Sequence, residues 1–288
     1  MDQLASAPCR ASRRKRIPGR RVKLRDRDLD ILLALAKMRL LRTSDLARLF
    51  FRAVATCQKR LRKLYDAELI RAVMTDLAAE NRYALAPLGH ALLVEELGES
   101  AVPKWRPSPR TDGRRLAHLD LLNRYRVALA KEAPRLGVEL ARFVPEWELR
   151  AADPKAPIIP DALVALLLPA GRLTLAIEVD TGSETPAAVA KKARAYREAS
   201  TMRRSVFGAV APGILFVTSS TRRARSAARA LCRAKLGRGV LLGAAPFVLA
   251  DGGLGSGLTV ADGLAARDGA LSEVDFRFGL LRLDLAAR

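Results

Sequence analysis

The sequence lacks a long apolar run and has few cysteines. No stretch approaches the roughly 18 consecutive apolar residues that a membrane-spanning helix needs, and the arginine-rich start lacks the apolar core of a secretory signal. The cysteines, Cys9, Cys57 and Cys232, form no C-x-x-C pair, which argues against a zinc site or a disulfide framework. We therefore expect a cytoplasmic protein without a membrane partner.

Some kinds of chemistry are excluded by residues that are missing. The chain has only two histidines, His90 and His118, on different predicted helices, so it cannot supply the paired histidines of a His-hydrophobe-His relaxase. It has no Walker loop. The glycine cluster at 252–257 is followed by no Lys-Ser/Thr and fails the G-x-G-x-x-G spacing. ATP-driven work is not expected.

Acidic residues are scarce relative to basic ones. Among 288 residues, Lys and Arg total 51 and Asp and Glu total 30, which gives a formal net charge of +21. A field of that sign attracts polyanions, and double-stranded DNA is the predicted partner. Half of the residues are hydrophobic, so the chain can bury a core, and its length suits two domains.

The first part of the chain has a pattern typical of DNA-binding proteins. Residues 1–25 contain nine Lys or Arg and one acid and are predicted to be a flexible basic arm. Residues 26–97 follow the order helix, helix, helix, hairpin, helix, which resembles a winged helix-turn-helix domain. The exposed face of its third helix is predicted to contact bases or phosphates through Gln58, Lys59, Arg62 and Lys63. The alternative is that these side chains only solvate a surface helix.

The remaining chain is predicted to form an α/β domain behind a linker. Residues 98–113 are rich in proline and polar residues, as in a semi-rigid linker. Residues 114–250 alternate predicted helices and strands around a central mixed sheet, with one long strand or a strand pair over 137–150, and 251–288 form a C-terminal extension. A predicted helix over 221–236 carries an arginine stripe with Arg222 and Arg225, which could contact phosphate. The overall fold is therefore expected to be α+β.

Three acids lie in apolar, strand-like segments of this domain. Asp161 precedes the run 162–168, a turn at 169–171 follows, and the returning strand delivers Glu178 and Asp180. Because side chains alternate along a strand, Glu178 and Asp180 share one face. Clustered carboxylates repel one another unless a cation lies between them, and their hard oxygen atoms suit Mg²⁺ or Mn²⁺. The sequence therefore predicts a metal site at Asp161, Glu178 and Asp180.

The order of elements over residues 114–243 resembles the core of PD-(D/E)XK nucleases, a restriction-endonuclease-like fold. That resemblance implies that Asp161 and Glu178 are metal-binding acids, while Asp180 occupies the position of the expected lysine. Some members take this lysine from the following helix, so Lys191 or Lys192 is implied to orient or activate the attacking water. An upstream acid is implied too, and Glu146 or Glu148 could supply it.

Motifs along nearly the whole chain resemble the replication-relaxation family. They are His118-Leu-Asp-Leu-Leu-Asn123, Pro160-Asp161-Ala, Glu178-Val-Asp180-Thr-Gly-Ser-Glu184, a helix with Lys192 and Tyr196, and Phe216-Val-Thr-Ser before Arg222. The resemblance implies an association with plasmids and other mobile elements, and with replication or mobilisation proteins as partners. A homodimer is compatible with it.

Two functions are compatible with these features. The first is Mg²⁺- or Mn²⁺-dependent cleavage or nicking of DNA at sites chosen by the N-terminal domain. The second is a non-catalytic replication initiator or transcription regulator with a degenerate nuclease-like domain. Convergence of the three acids with Lys191 or Lys192 would favour cleavage, whereas an Asp180 salt-bridged outward would exclude it.

Overall fold

The computed structural model describes residues 22–73, 80–107, 113–134, 137–156, 158–168, 171–182, 184–201 and 213–220, and short stretches at 222–223, 226–227, 229–230, 240–244, 263–267 and 270–274. The chain divides into two compact units, Met1–Asn123 and Arg124–Arg288. Most of the predicted basic arm, the glycine cluster and Arg225 lie outside the described residues. Most of the predicted extension at 251–288 lies outside them too. The predicted domain limits stay predictions.

The first unit packs four helices around a small antiparallel sheet. Its elements are α1 (Asp26–Met38), β1 (Leu41–Arg42), α2 (Thr43–Phe50), α3 (Val54–Asp66), β2 (Ile70–Val73), β3 (Arg82–Leu85) and α4 (Pro87–Leu97). The strand order is β1-β3-β2, with Ile70 opposite Leu85. Apolar residues at helical spacing form the core, among them Ile31, Leu35, Leu61 and Leu64.

Acids in the first turns fix the starts of α1 and α2. The Asp28 carboxylate accepts a hydrogen bond from the Arg25 backbone N–H at 2.8 Å, and Asp45 accepts one from the Arg42 N–H at 3.2 Å. Val54, the first residue of α3, is apolar but 44% exposed.

Helix α5 (Gly113–Glu132) contains the boundary between the units. Its first part belongs to the first unit, where the Asn123 side-chain amide donates to the carbonyl oxygens of Met38 at 3.0 Å and Leu40 at 2.5 Å. Those bonds satisfy the carbonyls at the end of α1.

The second unit is built on a five-stranded mixed sheet, and the predicted α+β fold is confirmed. After α5 come β4 (Glu139–Pro145), α6 (Glu146–Ala152), β5 (Ala162–Leu168), β6 (Gly171–Asp180), α7 (Pro186–Thr201), β7 (Gly213–Thr218) and β8 (Val240–Ala244). The order is β4-β5-β6-β7-β8; β5 is antiparallel to its neighbours β4 and β6, and β7 and β8 run parallel to β6. In another sheet, β9 (Gly263–Arg267) pairs antiparallel with β10 (Ala270–Val274).

The prediction of strand structure throughout 137–150 is wrong in its second half. The strand ends at Pro145, and residues 146–152 form α6. Proline lacks the N–H that a continuing strand would use, and Pro145 is the N-cap residue of α6.

Helix α7 covers one face of the sheet. Val189, Ala193 and Tyr196 of α7 pack with Ala176 of β6 and Phe216 of β7 in one buried cluster. Because side chains two apart on a strand share a face, Glu178 and Asp180 lie on the same face as Ala176. This packing brings the polar residues of α7 towards the acids of β6.

Candidate active site

Strands β5 and β6 place Asp161 beside Glu178. Ala162 lies opposite Ile177 in the antiparallel ladder, so Asp161, one residue before β5, comes next to Glu178. The Val179 backbone N–H donates to Asp161 Oδ2 at 2.7 Å. The Asp161 carbonyl oxygen accepts a hydrogen bond from the N–H of Glu146 at 2.8 Å. The half-buried Asp161 is therefore held in place from both sides.

Glu178 is a buried acid with two polar partners. It is 5% exposed, its Oε1 accepts a hydrogen bond from the Tyr196 hydroxyl at 2.6 Å, and its Oε2 lies 2.8 Å from Lys192 Nζ. Burial and the neighbouring Asp161 charge raise the pKa of Glu178 to about 7, against the opposing effect of Lys192 and Tyr196. Glu178 is thus an acid that can change its protonation near neutral pH.

Lys192, and not Lys191, reaches this acid. Its ammonium lies between Glu178 Oε2 and Glu184 Oε1, which is 2.6 Å away. Burial lowers the pKa of Lys192, but these two carboxylates raise it overall, so the side chain stays charged. Lys192 is four residues before Tyr196 and therefore shares its face of α7, whereas Lys191 is exposed.

Asp180 has other partners than Glu178. It is 1% exposed, and its Oδ2 lies 2.5 Å from Arg223 Nε while its Oδ1 accepts the Gly182 N–H at 2.8 Å. The same guanidinium donates to the Glu184 carbonyl oxygen. Asp180 shares the face of Glu178 as predicted, yet its carboxylate is bound by a buried ion pair.

The acids that could hold a cation together are therefore Asp161 and Glu178. Within the described residues, no group of three His, Cys, Asp or Glu side chains is arranged to hold a metal ion. Two carboxylates still provide the hard oxygen atoms that Mg²⁺ and Mn²⁺ prefer. Of the two proposed upstream acids, Glu146 forms an ion pair with Arg150 at 2.6 Å, and Glu148 is exposed.

The predicted DNA-contacting residues of α3 fall into two groups. Gln58, Lys59 and Lys63 are exposed. Arg62 instead lies along its own helix, with Nε 3.0 Å from Asp66 Oδ2 and Nη2 3.0 Å from Asp66 Oδ1. Arg222, in the other unit, is exposed.

Sequence reasoning did not assign contacts to Tyr196, Glu184 and Arg223. Tyr196 is packed as expected for an aromatic residue on an amphipathic helix, but its hydroxyl also orients Glu178. The i,i+4 spacing of Lys192 and Tyr196 is a signal that could have found this pair. No local pattern connects Arg223 with Asp180, because they are 43 residues apart in the chain.

Comparisons with known proteins give one family. A family profile described as replication-relaxation matches residues 32–208, from within α1 to just beyond α7, and includes Asp161, Glu178 and Lys192. No curated protein matches the chain, and no solved structure matches it. None of the helices in the described part of the chain is long and apolar enough to cross a membrane. The family description connects the chain with replication. Because the match covers well over half of its residues, the chain belongs to the replication-relaxation family.

Proposed function

We propose that this chain is a DNA-binding protein of plasmid or mobile-element replication that cleaves or nicks DNA in its α/β unit. The observation that carries this proposal is the contact of Lys192 Nζ with Glu178 Oε2 at 2.8 Å, beside Asp161. Two adjacent acids and a lysine match the residue types of a PD-(D/E)XK site whose lysine comes from the following helix. The lysine expected two residues after Glu178 is then supplied by α7.

The charge balance around Glu178 favours a cation. Asp161, Glu178 and Glu184 provide three carboxylates around one ammonium, that of Lys192. Repulsion between Asp161 and Glu178 contributes to the raised pKa of Glu178, and a divalent ion bound by both would relieve it. Bound Mg²⁺ or Mn²⁺ would supply Lewis-acid polarisation of a phosphodiester and a lower pKa for water.

The chain's own residues then have distinct roles. Asp161, held by the Val179 N–H, and Glu178 are the proposed ligands. Lys192, in contact with Glu178, would stabilise negative charge that develops on a phosphate or orient water. Tyr196 is a positioning residue, since its hydroxyl fixes Glu178 Oε1. Asp180 has no ligand role in this proposal because it is paired with Arg223.

Binding of duplex DNA is proposed for the first unit. Three helices and an antiparallel sheet in the order α1, α2, α3, β2, β3 support a winged helix-turn-helix, with α3 as the helix that enters the major groove. Gln58, Lys59 and Lys63 are exposed along α3. The net charge of +21 favours binding to phosphates.

A non-catalytic role is the second candidate, and three contacts favour it. The protein's own Lys192 and Tyr196 engage both oxygens of Glu178, and Asp180 is neutralised by Arg223. A nuclease-like site filled in this way could bind a partner or DNA without cutting it. In that case the chain would act as a replication initiator or a transcription regulator.

A plasmid-nicking assay separates these candidates. Supercoiled plasmid is incubated with the protein and Mg²⁺ or Mn²⁺, with chelator added in parallel. Asp161→Asn and Glu178→Gln should each lower nicking by about 100-fold or more, because each removes one charged ligand. Lys192→Ala should lower it strongly, whereas the neighbouring exposed Lys191→Ala is the matched control and should nick like wild type.

DNA binding is measured on the same proteins. Loss of nicking with unchanged binding supports a catalytic site in the α/β unit. If wild type binds DNA but never nicks it, or if all variants nick equally, cleavage at this site is excluded and the non-catalytic role stands.

A further inference from the structure

The stretch Val102–Pro107, predicted as part of a linker, is attached to the first unit. Val102 is 6% exposed. The Pro103 carbonyl oxygen lies 2.9 Å from His90 Nε2, and the Pro107 carbonyl oxygen accepts a hydrogen bond from Arg39 Nη2 at 3.2 Å. These contacts hold the intervening residues, 104–106, against the end of α1 and the start of α4.

This attachment brings three cations to one small cavity. The cavity has a volume of about 20 Å³, and Arg39, Lys104, Trp105 and Arg106 are among its lining residues. No acid is among the described residues that line it. Three cationic side chains therefore line one small cavity.

Arg39 is held in this place at a cost to the backbone. Its φ is 66°, in the left-handed region that residues with a Cβ rarely adopt, and its N–H closes α1 by donating to the Leu35 carbonyl at 2.8 Å. Burial and the nearby Arg106 guanidinium lower the pKa of Arg39. An anion between these groups would offset both the repulsion and the burial of charge.

Trp105 adds an aromatic ring to the three cationic side chains that line the cavity. Its side chain is 40% exposed, although tryptophan is usually well buried. An exposed aromatic ring beside cationic side chains is the combination that binds single-stranded nucleic acid, because bases stack on the ring while phosphates contact the cations. The cavity admits only one or two water-sized groups, which suits phosphate oxygens and leaves the base outside, on the ring.

We propose that Arg39, Lys104 and Arg106 bind a phosphate of single-stranded DNA whose neighbouring base stacks on Trp105. This site is separate from the face of α3 proposed to bind duplex DNA and does not depend on cleavage. In a replication protein it would hold a strand after the duplex has opened.

Tryptophan fluorescence tests this directly, because Trp105 and Trp147 are the only tryptophans. In full-length protein carrying Trp147→Phe, Trp105 is the single reporter. Oligothymidylate should quench its emission, and the same strand annealed to its complement should quench it much less at equal concentration. Trp105→Ala should weaken oligothymidylate binding, measured by anisotropy of a labelled strand, by about 5- to 100-fold, while Trp105→Phe retains most of it.

The cations are tested with matched variants. Arg106→Ala and Arg39→Gly should each weaken binding by about tenfold; glycine at 39 removes the guanidinium and accepts the positive φ. Lys155→Ala removes an exposed charge in the other unit and is the control. Inorganic phosphate alone should compete only weakly, and deoxythymidine monophosphate should do so better.

The proposal is overturned if oligothymidylate leaves the emission of Trp105 unchanged, or if duplex quenches it as strongly as single strand. It is also overturned if Arg106→Ala binds like Lys155→Ala while thermal unfolding shows both proteins folded.

Discussion

Asp120 in the first unit and Glu178 in the second are both buried acids, but their surroundings differ. Asp120 is 3% exposed, and its Oδ2 lies 2.6 Å from Arg42 Nη2 and 2.7 Å from Arg82 Nη2. Glu178 is 5% exposed and has one lysine, one tyrosine and the neighbouring Asp161. Two cations therefore surround the first acid, whereas the second shares one cation and repels another acid.

Asp120 joins structural elements, whereas Glu178 is suited to chemistry. Asp120 connects α5 to β1 and β3 through planar guanidinium groups, which fix geometry and keep their charge. Asp28 likewise binds Arg60 and so joins α1 to α3, whereas Asp66 binds Arg62 within α3. At Glu178 the partner is a flexible ammonium, and the acid has a pKa close to neutral pH. A buried acid with a second carboxylate beside it is where we expect a cation or a proton to bind.

The largest effect is expected when the Asp120 pair is broken. Asp120→Ala leaves Arg42 and Arg82 without their shared buried carboxylate and should lower the free energy of unfolding by about 3–5 kcal/mol. Asp30→Ala removes an exposed acid of α1 and should change it by less than about 0.5 kcal/mol. Urea unfolding followed by circular dichroism measures both. If the two variants lose the same stability, Asp120 does not join these elements.

The sequence predicts the local elements of the first unit but not this ion pair. Hydrophobic periodicity gives the order helix, helix, helix, hairpin, helix over residues 26–97, which is the observed order, because one face of each helix is buried. Arg42 and Asp120 are 78 residues apart, and no local pattern connects them. The pairing of Arg62 with Asp66 was visible as an i,i+4 spacing, yet periodicity alone gave no reason to prefer that partner over a phosphate.

The pH dependence of Glu178 gives the second test. Its pKa is raised from 4.5 to about 7 in the folded chain, so the fold favours the protonated carboxyl. The stability that this group contributes is fully present below pH 4.5 and is lost as pH rises through 7. Relative to Glu178→Gln, wild type should therefore become less stable between these pH values, by about 3 kcal/mol at most.

Denaturant unfolding of wild type and Glu178→Gln between pH 4.5 and 7 measures this difference in stability. Repeating the measurement with a divalent cation tests whether the cation binds at this site. Mg²⁺ or Mn²⁺ that binds Asp161 and Glu178 should restore part of the lost stability in wild type and leave Glu178→Gln unchanged. A difference that stays flat with pH would mean that Lys192 and Tyr196 already compensate the Glu178 charge. Glu178 would then resemble Asp120.

The acidic site was only partly predictable. Strand alternation placed Glu178 and Asp180 on one face, and the register of β5 and β6 adds Asp161. Arg223 forms an ion pair with Asp180, so Asp180 is less available to a cation than Asp161 and Glu178 are. Tertiary packing brings Arg223 to Asp180, and no local sequence pattern shows it. The sequence left Lys191 and Lys192 as equals, and only the packing of α7 on the sheet separates them.

The last prediction compares two neighbouring basic residues of α3, and its effect should be small. Because Arg62 is held by the buried Asp66 of the same helix, it should behave as a structural residue of α3, whereas exposed Lys63 should contact phosphate. Lys63→Ala should reduce the slope of log Kobs against log salt concentration for duplex DNA by about 1, the value for one phosphate contact. Arg62→Ala should leave the slope unchanged and instead lower stability by about 1–3 kcal/mol, since Asp66 stays buried without its guanidinium. Equal flattening of the slope by both variants would mean that Arg62 leaves Asp66 when DNA binds, and an arginine bound to a buried acid could then no longer be assigned a purely structural role.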